Sequence, residues 1–241
     1  MNKEILLFCF PFAGGTTAFF DQIETTINNK SDRIKLVKLE YSGHGKRMKE
    51  PFYDSFDKLS EDLMSRIEKV LDQHPDAIYG MLGYSMGSLS VFTLIQKIAR
   101  ERKMRQPNHL FLAAHPPKPI ERLKEVPDDE IEEWCKQRTM AFGGVPEKLI
   151  NNNAFWRMYL PMYMADYRII ASYAFDMVSF TSDIPTTVFY SEIDTPFTEV
   201  SEWSKYFTHI EFIEYDGSHF FIDKHFDEMA DVICRNLDDK I

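Results

Sequence analysis

Cysteine is scarce. The 241-residue chain has three, Cys9, Cys135 and Cys234, with no Cys-x-x-Cys pair. An odd, scattered set disfavours a disulfide framework or a thiolate metal site and suits a reducing compartment. The seven histidines also lack ligand spacing, so no metal is expected. No apolar run approaches the length of a membrane span. The stretch from Ile5 to Phe12 is too short for a secretory core with its cleavage site, and it runs straight into Ala13-Gly14-Gly15. A soluble, cytoplasmic protein without a membrane partner is expected. Net positive charge is missing as well: the balance of −10 argues against a nucleic-acid partner. Ala13-Gly14-Gly15 has neither the P-loop lysine nor the dinucleotide glycine pattern, so no nucleotide cofactor is expected. Internal repeats and low-complexity segments are absent.

What is present suits a single domain over residues 1–241 with a sizeable core: 44% apolar and 27% charged residues. Ile5 to Phe10 is a continuous apolar run, predicting a fully buried strand. Further strands are predicted at 34–39, 77–82, 110–114, 186–190 and 210–215. Asp54 or Ser55 caps a predicted helix with Phe56, Leu59, Leu63 and Ile67 on one face. A largely apolar helix follows Ser85 to about Arg102, and another runs from about Phe226 to Leu237. Alternating strands and helices imply a mainly parallel sheet with helices on both faces. From about 115 to 175 the pattern is helical without strands, with breaks at Phe142-Gly143-Gly144 and Pro161. This block reads as a helical lid insertion, with segments able to shift against each other.

Gly83-Tyr84-Ser85-Met86-Gly87 matches the nucleophile elbow of the α/β-hydrolase fold, between a buried strand and a long helix. Such a turn exposes the serine at a helix N-terminus, where the dipole and free N–H groups favour a developing oxyanion. Ser85 is therefore the expected nucleophile. His219, just after the last predicted strand, is the expected base, with His225 as rival; His44 lies at the same edge in another role. The fold orders the triad Ser, Asp, His, which selects Asp194 after the strand ending at Tyr190. Glu192 and Asp216 are weaker rivals, and Asp183 precedes that strand and so falls at the opposite edge. The expected oxyanion donors are the backbone N–H groups of Met86 and Ala13, with Phe12 as rival to Ala13.

Phe8 to Gly15, Ser42-Gly-His-Gly-Lys-Arg47 and Gly83 to Gly87 resemble motifs of the type II thioesterases of nonribosomal peptide and polyketide synthesis. So do Val126 to Glu130, Phe142 to Pro146, Leu160 to Arg168 and Gly217-Ser-His-Phe220, with departures at Ser218 and at Ser191-Glu192. The resemblance implies an editing enzyme that hydrolyses acyl groups from the phosphopantetheine arm of acyl or peptidyl carrier proteins. The alternatives are another serine esterase or acyl-CoA thioesterase of this fold, or a non-catalytic hydrolase-fold binding module. Aromatic and methionine residues between Phe155 and Tyr167 suit varied acyl chains, though most are expected to pack the lid and few to face substrate. Carrier domains of such systems are implied to be acidic, like this chain. Docking is therefore expected to use local surface, with basic clusters at Lys46-Arg47-Lys49 and at Arg100 to Arg105 with Lys118 and Arg122.

Overall fold

Every strand of the sheet is parallel, in the order β2-β1-β3-β4-β5-β6. The strands are β1 (Ile5–Phe10), β2 (Ile34–Lys38), β3 (Ile78–Tyr84), β4 (His109–Ala113), β5 (Thr186–Tyr190) and β6 (Ile210–Glu214). They come from a computed structural model that describes residues 3–118, 126–127, 129–175 and 179–238. Among these residues no helix is long and apolar enough to cross a membrane. Arg122 and Asp128, parts of two sequence motifs, lie outside the described residues.

Alternation along β1 divides the core. Ile5, Leu7 and Cys9 join one apolar cluster, with α1 (Asp21–Asn28) and α8 (Phe226–Leu237). Leu6, Phe8 and Phe10 join the other, with α2 (Phe56–Gln73) and α3 (Met86–Glu101). Helices thus cover both faces, which is why the inner strands carry no polar alternation. β1, β4 and β5 are buried throughout, whereas the edge strands β2 and β6 are only partly buried and carry Lys35, Lys38, Glu211 and Glu214. Charges on the edges discourage pairing with another chain. Ser55 caps α2, accepting from the Lys58 N–H at 3.3 Å. The architecture is that of the α/β hydrolases.

Between β4 and β5 the chain inserts α4 (Ile131–Ala141), α5 (Glu147–Ile150) and α6 (Asn153–Ser172). The break at Gly143 is real: its φ is +76°. The expected break at Pro161 is not, because α6 runs through it without interruption. A proline in a helix removes one hydrogen bond and strains the preceding turn. Here Leu160, Met162 and Tyr163 are buried on either side and hold the helix together. Short α7 (Phe197–Val200) follows β5.

Chain direction also undoes one expected basic cluster. α3 carries the chain from Ser85 down to Arg102 at the opposite edge of the sheet, and β4 returns it before Lys118. Arg105 there donates to the Pro75 carbonyl at 2.6 Å, while Lys118 pairs with Glu199. At the other cluster Arg47 is taken up by Glu50 and Asp62.

Candidate active site

Because all six strands are parallel, the loops that follow them collect at one edge, the usual place for a site in such sheets. β1 delivers Ala13 and Gly14, β2 His44, β3 Ser85, β4 His115, β5 Asp194 and β6 His219.

Ser85 sits at the turn between β3 and α3 with φ 53° and ψ −115°. A non-glycine residue there is strained. The strain is held by its N–H, which donates to the Ala113 carbonyl at 2.7 Å, and by close packing behind it. A Cβ on Gly83 would collide with the Gly87 backbone, and one on Gly87 with the Phe10 carbonyl. The two glycines of the motif are there for that contact.

His219 Nε2 lies 3.1 Å from Ser85 Oγ. Its Nδ1 lies 2.9 and 3.0 Å from the two Asp194 carboxylate oxygens. A carboxylate only accepts, so Nδ1 carries the proton and Nε2 presents a lone pair to the serine hydroxyl. All three side chains are nearly buried. The structure brings these three together and leaves the rivals apart. Asp216 pairs at 2.8 Å with His225, Glu192 accepts the Phe197 N–H at 2.8 Å, and Asp183 precedes β5 at the opposite edge.

Two further contacts hold the His219 loop. The Tyr84 hydroxyl donates to the His219 carbonyl at 2.6 Å, and Ser191 donates to the Gly217 carbonyl. Tyr84→Phe would leave a buried carbonyl unpaired, at a cost of about 1–3 kcal/mol. Urea unfolding is expected to show a lower midpoint at unchanged slope, with reduced turnover as the His219 loop loosens.

Among the described residues, the Ala13 and Met86 amides have no protein acceptor, whereas the Gly14 N–H donates to Asp166 Oδ2 at 2.7 Å. Asp166, from α6, also faces His44 Nε2 at 2.9 Å, and His44 Nδ1 faces the Ser42 carbonyl at 2.9 Å. Both ring nitrogens therefore point at acceptors. Burial alone would lower the His44 pKa; the Asp166 carboxylate and the Ser42 carbonyl outweigh it and raise it. Sequence reading missed Asp166. Its signals were its place in the Leu160 to Arg168 motif and its being the one carboxylate among the apolar and aromatic residues from Met162 to Tyr167.

A cavity of about 450 Å³ opens beside Ser85. The inserted helices contribute Arg138, Thr139, Phe142, Tyr163, Tyr167 and Ile170 to its wall. As expected, few of the apolar residues of α6 face it: Trp156 and Met162 are buried elsewhere and Met158 is exposed. Phe142 stacks on the His219 ring at 4.1 Å, with the Arg138 guanidinium 4.8 Å from the Phe142 centroid. His115 also lines the cavity. Burial lowers its pKa to about 4, although its Nδ1–H faces the Pro116 carbonyl at 2.5 Å. It is therefore neutral at neutral pH. The described residues hold no cluster of His, Cys, Asp or Glu fit for a metal.

A thioesterase domain family model matches residues 6–241. The medium-chain S-acyl fatty acid synthase thioesterase of Rattus norvegicus is 26% identical over 72% of this chain, and the match spans 64% of the rat protein, under two thirds of its length. The gramicidin S biosynthesis protein GrsT of Aneurinibacillus migulanus is 25% identical over 97% of this chain and 89% of its own. RedJ, a thioesterase from the prodiginine pathway of Streptomyces coelicolor, superposes with a TM-score of 0.79 at 26% identity, covering 98% of this chain and 86% of RedJ.

Proposed function

The chain belongs to the thioesterase domain family, and from that membership we propose that it hydrolyses acyl groups from the phosphopantetheine arm of acyl or peptidyl carrier proteins, as a cytoplasmic editing enzyme of a nonribosomal peptide or polyketide assembly line. The observation that carries the reading is the hydrogen-bonded line from Asp194 through His219 to Ser85, opening on the 450 Å³ cavity beneath the inserted helices. GrsT and RedJ, both of biosynthetic pathways, add support.

In this reading Ser85 Oγ attacks the thioester carbonyl carbon while His219 Nε2 takes its proton. The negative charge on the carbonyl oxygen is met by the Met86 and Ala13 N–H groups. The C–S bond breaks, His219 returns the proton to the departing sulfur, and the acyl group remains on Ser85. Water then attacks the ester carbonyl, His219 takes a water proton, and Ser85 leaves with it, releasing the free acid. Asp194 holds the imidazole in the tautomer this requires. The helices α4 to α6 act as the lid, and neutral His115 adds a polar but uncharged wall beside the acyl group.

The test is a comparison of one acyl chain on a holo-carrier protein, on coenzyme A and as an oxygen ester. The carrier thioester is expected to have a kcat/KM at least about tenfold higher, the worth of 1.4 kcal/mol of added contact. Salt dependence should be mild, because Arg47 and Lys118 already have acidic partners and both proteins are acidic. Preference for the oxygen ester would make the protein an esterase instead.

A further inference from the structure

We propose that Asp166 and His44 are positioning residues for the oxyanion site: Asp166 from α6, held by His44 from the loop after β2, fixes the loop whose Ala13 N–H meets the negative charge. The inference rests on the reading of Ala13 as a donor given above.

Two peptide planes flank Ala13. A peptide unit is rigid, so fixing its carbonyl fixes the N–H at its other side. The Phe12 carbonyl shares a unit with the Ala13 N–H, and it accepts from the Gly15 N–H at 2.9 Å. The Gly14 N–H shares a unit with the Ala13 carbonyl, and it donates to Asp166 Oδ2 at 2.7 Å. Both planes that flank Ala13 are therefore pinned, the one that contains its N–H by a local turn and the next by a side chain 152 positions away. Gly14 has a φ of +74°, and the Tyr163 ring fills the space where a Cβ would stand. α6 thus both covers this loop and bonds it.

A lone carboxylate beside an oxyanion site would oppose the charge that develops there. His44 removes that conflict. Its two ring nitrogens face the Ser42 carbonyl and Asp166, both acceptors, which makes it a double donor and cationic. The pair is buried, 1% and 4% exposed at the side chains, so water does not screen it. Its net charge is zero, and its N–H fixes the carboxylate that holds Gly14. Glu40 fastens the same loop further on, accepting the Thr17 N–H at 3.0 Å.

The experiment uses a fluorophosphonate: Ser85 Oγ displaces fluoride from phosphorus through a transition state with negative charge on the phosphoryl oxygen and leaves a tetrahedral phosphonate ester, without any need to know the substrate. Labelling of the full chain gives a maximal rate and a half-saturation concentration, measured well below each variant's melting midpoint. Asp166→Asn and His44→Leu are expected to lower the maximal rate on the order of 10- to 100-fold, because a displaced donor costs less than a deleted one. Half-saturation should move by less than about twofold, since the cavity wall is unchanged. His44→Gln keeps an N–H for Asp166 though not the charge, and should recover about threefold or more of the rate lost in His44→Leu. A simple packing role predicts no such rescue. Wild-type rates in Asp166→Asn or His44→Leu would overturn the proposal, as would a loss confined to half-saturation, or equal damage by Gln and Leu at position 44. If Asp166→Asn does not fold, the two His44 variants decide, because they leave the carboxylate in place. Failure of the wild type to label at Ser85 would instead sink the underlying hydrolase reading.

Discussion

Ser85→Ala is expected to lower thioester hydrolysis by roughly 10³ to 10⁶ while leaving the fold intact. The fold should survive because alanine keeps the Cβ of serine. The backbone at φ 53° is no more strained with one than with the other, and the N–H to Ala113 is retained. What is lost is the oxygen 3.1 Å from His219 Nε2. Without it no acyl-enzyme forms, and any residual rate comes from water attacking a thioester still polarised by the Met86 and Ala13 amides. Two measurements check this. Urea unfolding should give the variant a midpoint at or above wild type. Mass spectrometry of wild type with a slowly hydrolysed substrate should place one acyl group on the peptide containing Ser85, and none in the variant. Near-normal turnover by Ser85→Ala would remove the basis of the proposed chemistry.

The parts of this site that were legible in the sequence are those set by local pattern. Ile5 to Phe10 reads as a buried strand because each residue is apolar, and both faces of β1 are indeed covered. Gly83 and Gly87 carry the elbow because a five-residue turn needs them regardless of the rest of the chain. Asp194 and His219 follow from strand direction, since residues after parallel strands share an edge. The contacts that stayed hidden cross the fold. Asp166 meets His44 over 122 positions, and only the docking of α6 brings them together. Phe142 is visible as the start of a glycine break, yet its ring stacks on His219 because of where α4 ends. Pro161 carries a local signal for a break that buried neighbours override. Arg105 and Lys118 are close in sequence but stand at opposite edges, because β4 runs between them.

Asp194→Asn is expected to lower kcat by about 10⁴ with little change in KM. The carboxylate, 2.9 Å from His219 Nδ1, fixes a proton on that nitrogen and leaves Nε2 free to accept from Ser85. An asparagine amide can turn its NH₂ toward Nδ1. The ring proton then moves to Nε2, where it faces a serine hydroxyl it cannot deprotonate. Substrate contacts are untouched, so the loss falls on the chemical step. His219→Ala should be at least as damaging, because it removes the group that accepts the serine proton. Asp216→Asn and Glu192→Gln are the matched controls. Asp216 is exposed and paired with His225, and Glu192 caps the Phe197 amide, so both variants should stay within a few-fold of wild type. Steady-state kinetics of the four carboxylate and histidine variants on one thioester separates the possibilities. An inactive Asp216→Asn beside a fully active Asp194→Asn would transfer the orienting role to the loop after β6, where the carboxylate would have to reach His219 from its own strand rather than from the neighbouring one.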